Sequence, residues 1–182
     1  MQIRLYYATS IDGYIADANG GVGFLDPYQP HAYGYEAFML EVGITVVGRT
    51  TYDQALGFGP DPFGGKDVLV LTHRPLEPRA RTAAATGDVT TVARRLRAEQ
   101  HRDAWIMGGA HTMSAFLAAD AIDRIDQFVV PVVLGNGVPA FAGLPMARTL
   151  ELDELERFAD GVVRMRYVRP QSGTADALVA NP

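Results

Sequence analysis

The chain has 182 residues, of which 48% are hydrophobic and 20% charged, and this composition argues against disorder. The formal net charge of −5 argues against general nucleic-acid binding. The absence of cysteine excludes disulfides, thiol catalysis and cysteine-bound zinc, and no other metal site is expected. No apolar run approaches the roughly 18 residues of a membrane span, and the first residues follow a strand pattern without a signal peptide, so we expect a cytoplasmic protein that binds no membrane.

The first quarter of the chain alternates strand and helix patterns. β-Branched and aromatic residues predict an opening strand over residues 2–8, and Asp12-Gly13 predicts a turn. A glycine-rich stretch over residues 17–28 predicts a flexible loop, and long loops in compact domains tend to be functional. The spacing of the apolar residues predicts a helix over 33–42 and then a buried strand over 44–47.

The next elements repeat this alternation. They are a helix to about residue 56, a glycine- and proline-rich loop over 57–65, strands over 67–71 and 82–85, and an amphipathic helix over 90–100. Thr50 or Thr51 is the expected N-cap of the first of these helices, because a threonine side chain can accept a hydrogen bond from the first turn.

The stretch from Ile106 to Leu117 carries the clearest functional pattern. A buried strand over 104–107 breaks at Gly108-Gly109 and continues as a helix. Glycine lets another molecule approach the backbone closely, and a helix N-terminus offers unpaired N–H groups to an anion. A diphosphate would fit there, although an ordinary strand-to-helix turn has the same pattern.

Later strands are predicted over 127–134, 148–152 and 161–168. Strands that alternate with helices need crossover connections, which favour parallel pairing, whereas successive late strands favour an antiparallel edge. The predicted fold class is therefore α/β, with a central mixed, mostly parallel sheet of about eight strands flanked by about four helices. We expect a single domain over residues 1–170 and a loosely held tail over 171–182.

Phosphate-binding residue types follow three of the predicted strands. They are Gly48-Arg49-Thr50-Thr51, Thr72-His73-Arg74 and Gly108-Gly109-Ala110-His111-Thr112. The carboxyl ends of parallel strands share one edge of a sheet, where ligands of open α/β sheets bind. Three such ends indicate an extended ligand with several phosphates, such as an NADP-type dinucleotide. The usual dinucleotide fingerprint G-x-G-x-x-G and the phosphate loop ending in Gly-Lys-Ser/Thr are both absent.

Five segments in this order resemble the dihydrofolate reductase fold. They are Ala8 with Asp12-Gly13-Tyr14-Ile15, Val47 to Tyr52, Leu71 to Arg74, Ile106 to Gly109, and Pro131 to Gly137. The closest branch is similar to the reductase domain of the bifunctional riboflavin-biosynthesis deaminase-reductase. The deaminase half, whose zinc site needs cysteines, is missing.

The resemblance implies NADPH as the hydride donor, and it implies positions for its parts. Ala8 and Ile15 would touch the nicotinamide, under a mobile loop that contains Gly20 and Gly21. Gly48, Arg49, Thr50 and Thr51 would hold phosphates, and Thr72, His73 and Arg74 would meet the adenosine 2′-phosphate. Gly108, Gly109, Ala110, His111 and Thr112 would hold the diphosphate, with a cis peptide bond between the two glycines.

The sequence departs from dihydrofolate reductases on the first long helix, where no acid precedes the aromatic Phe38 at the matching place. Asp12 is the candidate catalytic acid, although the favoured explanation of this residue is a turn made by side-chain-to-backbone bonds, and a water could deliver the proton instead. Tyr33, Tyr35, Phe38 and Met107 would line a slot for a flat heterocyclic substrate, unless they only pack the core.

These residues together predict an NADPH-dependent reductase that acts on a pterin-like or riboflavin-precursor-like ring. Within enzymes, the alternative is the riboflavin-pathway reductase itself, which acts on a phosphoribosylamino pyrimidine. An NADP(H)-binding protein without turnover, for example a sensor, also remains open. The resemblance further implies a homodimer.

Overall fold

The computed structural model describes residues 1–170, and the tail predicted over 171–182 lies outside them. An eight-stranded sheet has the order β5-β4-β3-β6-β1-β7-β10-β9, and β2 pairs with β8 in a separate ribbon. Within residues 1–170, no helix has the length and apolar character needed to cross a bilayer.

The strands are β1 (Ile3–Thr9), β2 (Tyr14–Ala16), β3 (Val42–Gly48), β4 (Asp67–Leu71), β5 (Thr82–Ala85), β6 (Asp103–Gly108), β7 (Arg124–Val129), β8 (Val138–Pro139), β9 (Glu151–Arg157) and β10 (Val163–Val168). The helices are α1 (Tyr35–Glu41), α2 (Arg49–Ala55), α3 (Val89–Glu99) and α4 (Ala110–Ala118). Short 3₁₀ turns cover Gly23–Leu25, Pro30–Tyr33 and Leu56–Phe58.

The predicted fold class is confirmed. The six neighbouring strands β5, β4, β3, β6, β1 and β7 are parallel, while β10 and β9 form the antiparallel edge. Helices α3 and α4 pack on the face of the sheet that carries Leu5 and Ile106. Helices α1 and α2 pack on the other face, so the central strands are buried on both sides, as their unbroken apolar runs require.

Two predicted helix starts are wrong for local reasons. Helix α1 begins at Tyr35 and not at Tyr33, because Gly34 has a φ of 79° and separates it from the preceding 3₁₀ turn. The N-cap of α2 is Gly48, with no side-chain cap, so the prediction of Thr50 or Thr51 as N-cap is wrong. The N–H groups of the first turn of α2 are therefore not capped by a threonine.

The late strands also differ from their predicted bounds. Strand β7 ends at Val129 and not at residue 134, since Pro131 has no N–H for a ladder. Strand β9 covers Glu151–Arg157 and not 148–152, because five of its seven residues are charged and the strand lies at the edge of the sheet, where no strong hydrophobic alternation is needed.

Candidate functional site

Three parallel strands bring their carboxyl ends together. In the register of the sheet, Gly48 at the end of β3 is paired with Leu71 at the end of β4. On the other side of β3, Val47 is paired with Gly108 at the end of β6. The three segments that the sequence singled out for phosphate binding therefore leave the sheet at one edge.

Glycines allow helices α2 and α4 to begin in close contact. A Cβ atom on Gly48 would lie 2.6 Å from Thr112 Oγ1, and one on Gly109 would lie 2.8 Å from Thr51 Oγ1. The start of α4 thus packs against Gly48, which precedes α2, and the start of α2 packs against Gly109, which precedes α4. The peptide bond between Gly108 and Gly109 is cis, as the resemblance predicted.

Helix α4 directs its uncapped end at this edge. Its N-cap, Gly109, has no side chain, and the first helical bond runs from the Met113 N–H to the Gly109 carbonyl at 3.0 Å. The N–H groups of Ala110, His111 and Thr112 precede that bond, so they are the free donors of the helix N-terminus. Together with the helix dipole they favour an anion.

An outer cleft of about 440 Å³ opens over these helix starts. The predicted cofactor residues that line it are Ile15, Gly20, Gly48, Arg49, Thr50, Thr51, Gly109, Ala110, His111 and Thr112. The loop over 17–28 reaches across this cleft, where the Gln54 side-chain amide donates to the Gly20 carbonyl at 2.8 Å. Gly21 does not line the cleft, and its N–H donates to Asp17 at 2.8 Å within the same loop.

The predicted 2′-phosphate residues lie beside the outer cleft and not in its wall. Thr72 is buried, and its Oγ1 accepts the Arg74 N–H at 3.0 Å, while the side chains of His73 and Arg74 are exposed. Arg49 donates to the Pro75 carbonyl at 2.7 Å and to Asp53 at 2.8 Å. The Asp53 carboxylate also lies 3.7 Å from Arg74, so both guanidinium groups stand at one rim.

The outer cleft adjoins two further spaces along the same edge of the sheet. A middle cleft of about 240 Å³ shares Ile15, Thr51 and Gly109 with it. An aromatic pocket of about 350 Å³ shares Ala8 and Met107 with the middle cleft. The three spaces form one trench along the carboxyl edge of the sheet, with polar groups at one end and aromatic rings at the other.

Three of the four predicted substrate residues line the aromatic pocket, namely Tyr33, Tyr35 and Met107. The fourth, Phe38, does not, and this prediction is corrected. Phe38 is only 4% exposed and stacks on Tyr6 with ring centroids 4.1 Å apart, so Tyr6 stands between it and the pocket. Phe38 therefore supports the wall of the pocket from behind.

Several pocket residues were missed from the sequence, above all Tyr6, Trp105, Phe58 and Val162. Alternation along a strand would have indicated two of them. Tyr6 is two residues before Ala8 on β1, and Trp105 is two residues before Met107 on β6, so each shares a face with a predicted site residue. Phe58 ends a short 3₁₀ turn and Val162 lies outside helices and strands, and no local pattern marks either residue.

Hydrogen bonds inside the protein occupy three polar groups of the pocket. The Tyr6 hydroxyl donates to the Tyr33 carbonyl at 3.1 Å, and the Trp105 indole donates to the Tyr6 carbonyl at 3.2 Å. The Tyr33 hydroxyl donates to the exposed Asp160 carboxylate. Burial raises the pKa of Tyr6 and Tyr7, and burial together with the Asp160 bond raises the pKa of Tyr33 to about 12.

A buried ionic layer lies behind the aromatic wall. Arg4 is 2% exposed, stands 5.0 Å from the centre of the Phe38 ring, and is paired with Glu41, Asp103 and Asp126. Asp126 also accepts from Arg124 at 2.7 Å and from Arg166 at 2.9 Å. Burial alone would raise the pKa of Asp126, but the bonds from Arg124 and Arg166 outweigh it and lower the pKa.

Asp12, the predicted catalytic acid, does not line the trench. Its carboxylate accepts the backbone N–H groups of Leu134 at 3.1 Å and Gly135 at 2.7 Å, and so joins two loops. A side-chain bond with Ser10 and these backbone bonds lower its pKa. The geometry gives Asp12 a structural task, and its catalytic role stays a prediction.

Comparison with known proteins agrees with this architecture. The model of the RibD C-terminal domain matches residues 63–164. The uncharacterized protein YwjB of Bacillus subtilis (strain 168) is 33% identical over 168 residues, which cover 91% of this chain and 96% of YwjB. A crystal structure of a protein named for riboflavin biosynthesis, from Shewanella sp. PV-4, matches 94% of this chain and 100% of its own with 30% identity and a TM-score of 0.85.

A more distant likeness concerns the fold alone. Dihydrofolate reductase from Enterococcus faecalis, solved with NADP(H), has 16% identity and a TM-score of 0.64, covering 93% of this chain and 97% of its own.

Proposed function

Since the chain belongs to the RibD C-terminal domain family and has the dihydrofolate reductase fold, we propose that it is an NADPH-dependent reductase that transfers a hydride to a planar nitrogen heterocycle. The observation that carries this proposal is the single trench, which joins an anion-binding end to an aromatic pocket. A reductase needs both ends in one cavity, because the donor and acceptor rings must come into contact.

The polar end of the trench fits a dinucleotide. A side chain at Gly48 or Gly109 would collide with the facing helix start, so the glycines keep open a cradle of N–H groups for a diphosphate. Arg49 and Arg74 stand together at the rim, and an arginine fork suits the 2′-phosphate that distinguishes NADPH from NADH. Asp53, which is shared by both arginines, would hold them in position.

Bound NADPH supplies the hydride, and the residues of this chain bind, orient and exclude water. Ala8 and Ile15 line the middle cleft, where the nicotinamide would lie, and Ala8 also lines the aromatic pocket. A flat substrate in that pocket would be stacked among tyrosine and tryptophan rings. The burial of these rings keeps the reacting atoms away from bulk solvent.

The proton that accompanies the hydride needs a separate source. Within residues 1–170, no carboxylate lines the aromatic pocket, and the raised pKa values of Tyr6, Tyr7 and Tyr33 make these hydroxyls weak acids at neutral pH. We therefore assign proton delivery to a water molecule that enters at the mouth of the pocket.

NADPH binding and oxidation test the proposal. Calorimetric titration is expected to show that NADPH binds more tightly than NADH, and absorbance is expected to report NADPH oxidation with at least one member of a panel of pterins, flavin precursors and nitro-aromatics. A protein that binds neither nucleotide would contradict the proposal.

A second candidate is an NADP(H)-binding protein without turnover, for example a sensor. The absence of an acid among the described residues of the pocket is the observation that favours it. Tight NADPH binding without oxidation across the whole panel would select this candidate over the reductase.

We also propose a homodimer that uses the antiparallel edge of the sheet. Leu152 and Leu155 on β9 are more than half exposed, and they are paired in register with Tyr167 and Met165 on β10. This apolar strip lies on an edge strand, where a second chain could cover it. Light scattering is expected to give a dimer mass, and the change of Leu155 to Asp is expected to give a monomer.

A further inference from the structure

The aromatic pocket offers a ligand no positive charge. Within residues 1–170, every side chain that lines it is aromatic or aliphatic, and none is charged at neutral pH. The polar atoms available there are tyrosine hydroxyls, of which those of Tyr6 and Tyr33 already donate within the protein. A phosphate or carboxylate placed in the pocket would lose its water without gaining a charged partner.

Nearby arginines do not change this picture. Arg164 comes close along the sheet, since it is paired in register with the pocket residue Phe128. Its charge is balanced by two carboxylates, because Nη2 is bound to Glu154 at 2.6 Å and to Glu156 at 2.9 Å, while its buried Nε has no partner among the described residues. Arg4 is held in the buried ionic layer behind Phe38. The sequence over 171–182 contains neither lysine nor arginine, so that segment brings no cation to the pocket.

Carboxylates act on two tyrosines of the pocket, Tyr33 and Tyr35. Asp160 accepts a hydrogen bond from the hydroxyl group of the pocket residue Tyr33 and is itself exposed. Burial raises the pKa of Tyr35, with smaller contributions from the charges of Glu36 and Asp61. If a bound substrate carried a phosphate group that extended from the pocket toward solvent, this group would therefore approach carboxylates, which repel it.

The aromatic pocket lacks charged groups, but it offers several aromatic ring faces to a ligand. Phe58 is 62% exposed and yet lines both the middle cleft and the aromatic pocket, so one face of its ring is available to a ligand. Trp105 and Tyr35 lie in T-shaped contact deeper in the pocket, with ring centroids 6.2 Å apart. Such faces attract flat rings and also cations.

We propose that the substrate is a flat heterocycle, neutral or protonated, that carries no phosphate, and that Asp160, held by Tyr33, sets this preference at the mouth of the pocket. The inference rests on the proposed function, because it takes the aromatic pocket as the substrate end of the trench. It also separates this chain from a reductase that acts on a phosphoribosylamino pyrimidine.

A matched pair of probes tests the charge preference. Riboflavin and riboflavin 5′-phosphate differ only in the phosphate, and each is titrated by calorimetry into protein saturated with NADP⁺, which keeps the phosphate out of the outer cleft. Riboflavin is expected to bind about two- to fivefold more tightly than its phosphate ester, the factor that the Asp160 charge should account for. Equal or tighter binding of the ester, or binding of neither compound, would overturn the inference.

A pair of variants tests the role of Asp160. Asp160→Asn keeps an acceptor for Tyr33 but removes the charge, and it is expected to strengthen binding of the phosphate ester about two- to fivefold, with riboflavin nearly unchanged. Asp153→Asn, an exposed change on β9, is expected to leave the ratio of the two affinities unchanged. An unchanged ratio in Asp160→Asn as well would overturn the assignment to Asp160.

The same titrations distinguish this inference from the proposed function. Failure to bind NADP⁺ would overturn the reductase proposal, while the comparison of the two flavins without nucleotide would still decide the charge preference of the pocket. Normal NADP⁺ binding with a preference for the phosphate ester would overturn the inference alone.

Discussion

The two ends of the trench are built in different ways. The outer cleft is formed largely by backbone, namely glycines and the start of α4, with Arg49 beside them. The aromatic pocket is formed by side chains from β1, β6 and β7, together with residues of several turns. Backbone recognition of an anion depends on a few adjacent residues, whereas a pocket of rings depends on the packing of the whole sheet.

This difference explains what a change at each end should do. A substitution at the outer cleft is expected to alter nucleotide affinity first, because the cleft is built from the starts of two helices and not from the centre of the core. A substitution behind the aromatic pocket is expected to alter stability first, because the pocket rests on a buried ionic layer.

The largest effect is expected from Asp126→Asn, which removes the shared acceptor of Arg4, Arg124 and Arg166. Breaking a buried ion network by removing one partner costs on the order of 3–5 kcal/mol of unfolding free energy. Nucleotide affinity of the folded fraction should stay within about twofold, since the outer cleft does not share these partners. Urea unfolding and NADPH titration would measure the two quantities.

The pH dependence gives this prediction a sign. The folded pKa of Asp126 is lowered, so its stabilisation is fully present above the unfolded value of about 3.9 and is lost as the pH falls through the folded pKa. The stability difference between wild type and Asp126→Asn should therefore shrink below about pH 4. A difference that is constant with pH would show that packing, and not charge, is responsible. Asp153→Asn serves as the exposed control.

The next effect is expected from Gly48→Ala at the backbone end. The added methyl group would lie 2.6 Å from Thr112 Oγ1 and would push the start of α4 out of place. Displacements of this kind cost about 10- to 100-fold in binding or rate, here in NADPH affinity. Gly57→Ala, whose new methyl group meets nothing within 4 Å, is the matched control. Similar losses in both variants would contradict the role of the cradle.

A smaller effect is expected from Arg74→Ala at the rim. Loss of a charge-assisted bond to the 2′-phosphate should weaken NADPH binding about tenfold and leave NADH binding unchanged. Arg94→Ala, an exposed change on α3, should affect neither nucleotide. Equal losses for NADPH and NADH would count against the placement of the 2′-phosphate beside Arg74.

The smallest effect is expected from Phe58→Ala at the aromatic end. Its exposed ring should cover the substrate, so its removal should raise the KM for a flat substrate about three- to tenfold. Phe58 also lines the middle cleft, so the NADPH affinity should fall, but by less than the KM rises, because the phosphates are held at the outer cleft. The melting temperature should stay unchanged, as all three quantities should for the control Leu40→Ala, another exposed apolar residue. A loss of NADPH affinity in Phe58→Ala that exceeds the rise in KM would contradict the distinction between the two ends.

The sequence predicted the residues of the outer cleft better than those of the aromatic pocket, because the cleft is built from adjacent residues and the pocket from distant ones. Gly48-Arg49 and Gly108-Gly109 are contiguous in the chain, so short patterns locate the strand ends and helix starts of the outer cleft. Tyr33 and Met107 were also found, but Phe38 was wrongly placed, because its helical spacing cannot show that Tyr6 of β1 lies in front of it. Contacts between distant residues require the sheet register, which no short pattern contains.

The edge strands show the same limit. Strands β3, β4 and β6 are mostly buried, so their apolar runs marked them to within a few residues. Strand β9 has its charged residues paired with those of β10, as Glu154 is with Arg166, and this cross-strand pairing is invisible before the fold is known.

Energy transfer from Trp105 to bound NADPH tests the central claim most directly. The chain has one tryptophan, and it lines both the middle cleft and the aromatic pocket, beside the proposed nicotinamide position. Excitation of tryptophan is expected to produce sensitised emission from bound NADPH, and a flat heterocycle in the aromatic pocket is expected to change it. NADPH that binds tightly but receives no energy from Trp105 would contradict the account, because its nicotinamide would then lie outside the trench.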